Sequence, residues 1–401
     1  MHVAEQYVPA LTPVLVEIAS VGAGSGGRVA GAQDQDSARL VVEGLVVIQK
    51  VVAVCHCCNA LADQVGPLCA AVLSRFECND VDNAVKTGTM ACVGFLVSSF
   101  GTEGGFDIPR VLDVLGRRLE SEPMRAAALK TLVCIAQSPL HLDLSPCHSP
   151  VAGAGAASIV EMAVGYVRVS GRLLKHAAIQ LLNALLLNSV AAASEGHAPS
   201  FPAAAVCAIA VAVAGCISDQ DMYVCTQALQ TVESIVTVAR GLSLGDAPSV
   251  NEVLRAEVYQ RLLELTVSPL LQGATLDHLV RGLRALVAFE AVSCQQVFEA
   301  LCAKVGPSLA KQSVSCVSKC TVGVITASVD TTQAAVVHFT EKLSSGGGAA
   351  AGGDSVRLFA LLCIGGLHSH VGASAAAAEE VAGLVLSCLT DSGSGSEDLK
   401  H

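Results

Sequence analysis

Apolar residues recur along this chain at the three- and four-residue spacing of helices, not with the two-residue alternation of half-buried strands. The pattern predicts a series of helix pairs in which an apolar helix, an acidic turn and a second apolar helix follow one another. The first helices of these pairs are predicted at residues 5–19, 65–76, 108–119, 158–169, 203–217, 256–265, 295–305, 332–343 and 375–389.

A basic residue that follows an apolar one marks most of the second helices. These repeat marks are Arg39, Lys86, Arg125, Lys175, Lys319, Arg357 and Lys400. Where marks follow in adjacent units they lie 39 to 50 residues apart, the spacing of HEAT or armadillo repeats. The sequence therefore predicts an all-α protein, an α-α superhelix of about eight and a half helix pairs. The register is weakest between Lys175 and Arg357, with a degraded mark at Tyr223-Val224 and room for one further pair around residues 270–289.

Two further patterns accompany the marks. An acidic residue precedes most of them and is expected at or near the start of the second helix, where a carboxylate accepts hydrogen bonds from unpaired amides. These residues are Asp36, Asp82, Glu122, Asp221, Asp354 and Asp398. Apolar residues two helical turns after the marks are expected to be buried against adjacent repeats. They are Val46, Val93, Leu132, Leu182 and Ile364.

The domain organisation follows from the same repeats. We expect residues 1–401 to form a single HEAT-repeat solenoid that is a partial segment of a longer chain. Stretches rich in Gly, Ala and Ser at 22–31, 151–157 and 344–353 are predicted to be flexible surface loops. Residues 391–401 hold the turn and the mark of a last repeat whose second helix is truncated.

Composition agrees with helices of small residues, since hydrophobic residues make up 52%, aromatic residues only 3%, and Trp is absent. A net charge of −11 without a run of Lys and Arg argues against nucleic acid as the main partner. The longest uncharged apolar stretch, residues 201–217, is rich in Ala and Val and is followed by Asp219, which favours a buried helix over a membrane span. The long chain has 17 cysteines but no signal segment and no glycosylation sequon, which predicts a reduced protein of the cytoplasm and/or nucleus.

Motifs that carry chemistry are weak. Residues 22–27 fit the G-x-G-x-x-G pattern, but no βαβ unit surrounds them, and a loop is the better interpretation. The run Cys55-His56-Cys57-Cys58, even with Cys69 and Cys78, lacks the paired spacing that zinc requires. The histidines show neither H-E-x-x-H spacing nor a neighbouring nucleophile motif. We therefore predict no enzyme activity, no cofactor and no metal; the alternative of another class is an enzyme or redox protein that uses the cysteine run.

Five ordered stretches carry a resemblance to a known family. Residues 107–146 read DIPRVLDVLGRRLESEPMRAAALKTLVCIAQSPLHLDLSP; then come SDQDMYV at 218–224, VSPLLQG at 267–273, Lys319-Cys320, and DSVRLFALL at 354–362. In this order they resemble the cullin-associated, neddylation-dissociated proteins. The resemblance runs from about residue 65 to residue 400, and the chain looks like the central third of a longer member.

This resemblance implies a non-enzymatic scaffold that binds unneddylated cullin–RING modules and regulates the assembly of SCF-type ubiquitin ligases. Its implied partner is the cullin–RING core of the ligase, with neither nucleic acid nor membrane. No catalytic residue is carried over, and no cullin contact is assigned to a residue. The alternative is another HEAT-repeat scaffold, such as a transport receptor or a phosphatase scaffold, which would fit the repeats but not the ordered stretches.

Overall fold

The computed structural model describes residues 2–21, 32–55, 59–78, 82–151, 157–194, 201–241, 247–326, 329–344 and 354–368. The regular structure in these ranges is helical, and the only extended pairing is one antiparallel bridge between Pro150 and Ser158. The prediction of an all-α repeat solenoid is therefore confirmed. The chain divides into two compact units, Met1–Ala205 and Val206–His401.

The first unit consists of helix pairs in which the second helices pack on one another in series. Its helices are α1 (His2–Ser20), α2 (Ala32–Cys55), α3 (Asn59–Glu77), α4 (Asn83–Phe100), α5 (Ile108–Glu120), α6 (Glu122–Ala136), α7 (Ile159–Val169) and α8 (Arg172–Ser194). Helix α2 contacts α4, α4 contacts α6, and α6 contacts α8. This continuous layer of second helices buries the apolar stripes that the periodicity predicted.

The second unit follows the same plan. It contains α10 (Met222–Arg240), α11 (Ala247–Val253), α12 (Gln260–Leu265), α13 (Gly273–Ala288), α14 (Cys294–Lys304), α15 (Lys311–Ile325), α16 (Val329–Ser344) and α17 (Asp354–His368), and α9 (Ala203–Ala214) lies at the boundary of the units. A π-helical segment, Leu254–Tyr259, joins α11 to α12, so this first helix begins well before the predicted residue 256. The second helices α10, α13, α15 and α17 again pack in series.

Acidic residues begin several second helices as expected. The Asp82 side chain caps α4 by accepting hydrogen bonds from the Ala84 and Val85 amides at 2.6 and 3.0 Å. Asp221 caps α10 in the same way. Each carboxylate satisfies amides that have no partner inside the helix.

The remaining acidic residues of this set differ in position. Glu122 and Asp354 are the first residues of α6 and α17. Asp36 is the fifth residue of α2, which begins at Ala32, so it lies near the start of the helix but not at its cap. Asp398 lies outside the described residues.

The predicted buried face is confirmed at four of its five positions, namely Val93, Leu132, Leu182 and Ile364. The prediction is wrong for Val46, which is 40% exposed. Helix α2 instead buries Val41, Leu45, Ile48 and Val52, a stripe of three- and four-residue steps that leaves position 46 on another face.

Of the predicted loops, residues 22–31, 152–156 and 345–353 lie outside the described part of the chain, as do helix 375–389 and the truncated repeat at 391–401. At the edges of the second loop, the Val151 amide donates a hydrogen bond of 3.1 Å to the Ala157 carbonyl. Ser344, assigned to the third loop, is the last residue of α16.

Candidate protein-binding surface

Four of the repeat marks occupy the same position in their helix pairs. Lys86, Arg125, Lys175 and Arg357 are each the fourth residue of a second helix. Arg39 and Lys319 instead lie eight and nine residues into α2 and α15, because these helices begin further upstream than the marks implied. Lys400 lies outside the described residues.

Arg125 shows what a mark can do in this position. Its Nε donates a hydrogen bond of 2.9 Å to the Leu119 carbonyl, and an NH2 bond of 3.2 Å reaches the Glu120 carbonyl. Tyr166 donates its hydroxyl to the same Leu119 oxygen at 2.9 Å, and its ring centroid lies 4.9 Å from the Arg125 guanidinium carbon. The guanidinium therefore fastens the carboxyl end of α5, whose last carbonyls have no intrahelical donor, to α6 and α7.

A buried arginine outside the marks has a similar role. Arg75, near the end of α3, donates from one nitrogen to the Ala19 and Val21 carbonyls at 2.9 and 2.6 Å. It thereby ties two consecutive first helices together. Sequence analysis missed this residue, although Arg75 lies on the apolar stripe of Leu68, Val72 and Phe76, and a charge on such a stripe is a usable signal.

The same region contains a cationic cleft, which we define by its lining residues. It has a volume of about 590 Å³ and is lined by Glu77, Arg110, Val114, Arg117, Arg118 and Ser121. Arg118 also lines a smaller neighbouring cavity together with Arg75 and Lys86. Basic side chains from α3, α4 and α5 therefore converge in a protein whose net charge is −11.

Ion pairs organise the cationic cleft without filling it. Arg110 contacts Glu77 through Nε and NH2 at 2.6 and 2.7 Å and so bridges α5 to α3. Arg117 pairs with Asp113 of its own helix at 3.1 Å. The side chains of Arg110 and Arg117 remain 62% and 53% exposed, so each can still meet a partner.

In the second unit, partly buried polar side chains join α10 to α13. His278 Nδ1 lies 2.7 Å from a Glu233 carboxylate oxygen, and Arg281 Nε donates to the same carboxylate. Gln230 Nε2 lies 3.0 Å from His278 Nε2. These groups satisfy one another while Arg281 stays half exposed, which gives an ordered polar surface on two adjacent second helices.

Several cysteines in the described part of the chain are buried in the core. Burial raises the pKa of Cys69, Cys92 and Cys147 to about 12 and that of Cys225 to about 11. Reactive cysteines need a lowered pKa and access to solvent. Within the described residues, no three His, Cys, Asp or Glu side chains are grouped to hold a metal ion. Residues 56–58 of the cysteine run lie outside those residues.

Two described stretches, Asn83–Gly104 and Arg172–Ser194, are long and apolar enough to cross a membrane. About half of each is buried inside the protein, 50% and 56%, and both contain second helices of the packed layer. Length and composition are weak evidence for a span where burial already accounts for the apolar residues. Helix α9 lies within the apolar stretch of residues 201–217 and has only 12 residues, fewer than the roughly 20 of a membrane-spanning helix.

This chain is similar to curated proteins from a plant, a mammal and an insect that carry the same name apart from its final number. Cullin-associated NEDD8-dissociated protein 1 of Arabidopsis thaliana is 29% identical over 261 residues, 64% of this chain. Cullin-associated NEDD8-dissociated protein 2 of Mus musculus is 30% identical over 265 residues. Cullin-associated NEDD8-dissociated protein 1 of Drosophila melanogaster is 26% identical over 258 residues. This chain is a HEAT-repeat segment similar to the cullin-associated NEDD8-dissociated proteins.

The chain spans about a fifth of the length of these cullin-associated relatives. The aligned stretches of 261 and 265 residues are shorter than residues 65–400, the range expected from the resemblance. No protein-family model matches the chain. Among solved structures, Kap121p bound to Pho4p is 10% identical and covers 95% of this chain and 44% of that chain, with a TM-score of 0.35. Kap121p bound to Ste12p is 12% identical, with coverage of 95% and 43% and a TM-score of 0.36.

Proposed function

We propose that this chain is a non-catalytic, protein-binding segment of a longer protein that binds an unneddylated cullin–RING module and regulates the assembly of SCF-type ubiquitin ligases. The observation that carries the proposal is its similarity to cullin-associated proteins from a plant, an insect and a mammal over nearly two thirds of the chain. Because that stretch is a fifth of those proteins, exchange or regulation by the complete protein is part of the proposal.

The repeat architecture supports a binding role. Each unit presents a series of second helices whose solvent faces follow one another, and such repeated faces create extended surfaces that contact a partner at many points. The linked side chains of Glu233, His278 and Arg281 supply one ordered polar area of this kind. Contacts spread over many repeats make the affinity of any one segment modest.

The non-catalytic part of the proposal is supported by the thiols of the described residues. Burial raises the pKa of Cys92, Cys147, Cys320 and Cys363, which makes these thiols poor nucleophiles at neutral pH. A reducing compartment, the cytoplasm and/or nucleus, is the proposed setting. Neither membrane nor nucleic acid is part of the proposed function.

The proposal is tested by immobilising the complete 401-residue chain and measuring retention of a cullin–RING core, unmodified or conjugated to NEDD8. We expect the unmodified core to bind with a Kd in the micromolar range, about −8 kcal/mol, and the conjugated core to bind more weakly. Retention of neither form at about 100 μM would overturn the proposal. Retention of a transport cargo or a phosphatase subunit instead would favour the alternative HEAT-repeat scaffold.

A further inference from the structure

The cationic cleft is not accounted for by the repeat architecture. Arg110 and Arg117 are not repeat marks, and both remain more than half exposed although each has an ion-pair partner. A folded core gains little from such pairs, since solvent-exposed ion pairs contribute about 0–1 kcal/mol. The cleft's 590 Å³ lies within the range of protein binding pockets, about 300–1,000 Å³.

We propose that the cationic cleft binds a carboxylate-rich segment, an extended stretch of Asp and Glu residues, of a partner protein. The inference rests on the proposed function only in taking the occupant to be a protein. Arg110, Val114, Arg117 and Arg118 follow one another at helical spacing and therefore share one face of α5. Seven residues of helix separate the first and third by about 10 Å, which an extended peptide of about four residues can span.

The charges of the cleft favour carboxylates. Arg118 lines both cavities and Lys86 lines the smaller one, so the two add positive charge beside Arg110 and Arg117. The Arg110–Glu77 contact shows that a carboxylate fits beside the Arg110 guanidinium at 2.6–2.7 Å. Glu77 and Asp113 would disfavour a doubly charged phosphate more than a singly charged carboxylate.

Nucleic acid fits the cleft less well. Among the described residues that line the cleft there is no aromatic side chain on which a base could stack, and Phe76 of the neighbouring cavity is buried. A single-stranded nucleic acid would place its phosphates against Glu77 without gaining stacking energy.

The experiment measures binding of fluorescein-labelled octaglutamate to the complete chain by fluorescence anisotropy, with octaglutamine as the uncharged control. We expect binding of octaglutamate only, and a several-fold loss of affinity between about 50 and 200 mM salt as the charges are screened. Equal binding of the two peptides would overturn the proposal. Tighter binding of an oligodeoxythymidine of equal length would overturn it in favour of nucleic acid.

Three variants separate the cleft from the rest of the surface. Arg117→Ala should weaken octaglutamate binding several-fold, while Glu77→Gln should tighten it, because it removes a competing carboxylate and keeps the side-chain shape. Arg168→Ala, an exposed arginine in the last turn of α7, is the matched control and should leave affinity unchanged. Loss of folded protein cannot produce the opposite signs expected for Arg117→Ala and Glu77→Gln. Weakened binding in Glu77→Gln would contradict the proposal.

The two proposals fail separately. A chain that retains the cullin but binds octaglutamate no better than octaglutamine loses the cleft proposal and keeps the proposed function. A chain that binds octaglutamate through Arg117 without retaining any cullin keeps the cleft proposal and loses the proposed function.

Discussion

Replacing Arg125 by Ala tests whether a repeat mark stabilises the junction between two helix pairs. The change removes the hydrogen bonds to the Leu119 and Glu120 carbonyls and the contact with the Tyr166 ring. The partly buried bond to Leu119 is worth about 1–1.5 kcal/mol, and the exposed bond to Glu120 less. With about 0.5–1 kcal/mol for the cation–π contact, we expect a total loss of about 2–3 kcal/mol.

The loss should be local, because solenoid repeats interact mainly with their neighbours. Hydrogen exchange should therefore show faster exchange in α5 and α6 of Arg125→Ala, and urea denaturation should show a lower midpoint. The control is Arg168→Ala, which removes an exposed arginine two residues from Tyr166. A double-mutant cycle of Arg125→Ala with Tyr166→Leu should give a coupling of about 0.5–1 kcal/mol. If Arg125→Ala costs no more than Arg168→Ala, the guanidinium does not fasten α5, and our interpretation of the mark is wrong.

Three other predictions concern packing and the buried thiols. In urea titrations, Gly94→Ala should destabilise the protein by about 1–2 kcal/mol, because the new Cβ would lie 2.9 Å from Thr131 Cγ2 and 3.3 Å from the Thr131 carbonyl oxygen. The control Gly165→Ala has open space around its new Cβ and should be neutral or stabilising. A thiol reagent at pH 8 should leave Cys92 and Cys147 unmodified in the native protein and label both in urea; native labelling as fast as in urea would contradict their burial. Burial raises the pKa of these two thiols from 9.0 to about 12, so the stability that the protonated thiols contribute is complete below pH 9. Between pH 9 and 12 the free energy of unfolding should fall by about 1.4 kcal/mol per pH unit for each thiol. Cys147→Val should therefore reduce the slope of the urea midpoint against pH.

Features that depend on local sequence were predicted well. The boundaries of α5 and α7 agree closely with the predicted ranges 108–119 and 158–169, because caps at Asp107 and Ser158 fix where these helices begin. Val93 and Leu132 are buried because helical periodicity alone places them on the interior face. Predictions of this kind require only neighbours a few residues apart.

Features that depend on where a helix begins were predicted less well. Helix α2 begins four residues before Asp36, and its buried stripe of Val41, Leu45, Ile48 and Val52 leaves Val46 on another face than the spacing from Arg39 predicted. The same upstream start displaces Lys319 from the beginning of α15. The residue before α15, Ala310, provides no side-chain cap, so no capping signal in the sequence indicates where this helix begins.

The cationic cleft could not be predicted from the order of residues. A search along the chain finds only Arg117-Arg118 as adjacent basic residues, and the acidic total argues against a basic surface. The cleft forms because Glu77 of α3 and Arg110 of α5, 33 residues apart, meet between consecutive helix pairs. Charge density in a solenoid therefore has to be evaluated across equivalent positions of neighbouring repeats.

The repeat marks record register more than function. At the same fourth position of a second helix, Arg125 fastens the preceding helix, whereas Lys86 lines a cavity with Arg75 and Arg118. A residue type that recurs at the start of several second helices marks the repeat, so it discriminates poorly between partners. Arg110 and Arg117 occupy positions outside that pattern and remain accessible. Specific recognition by a repeat scaffold should therefore be sought at such departures, and the opposite effects expected for Arg117→Ala and Glu77→Gln test this directly.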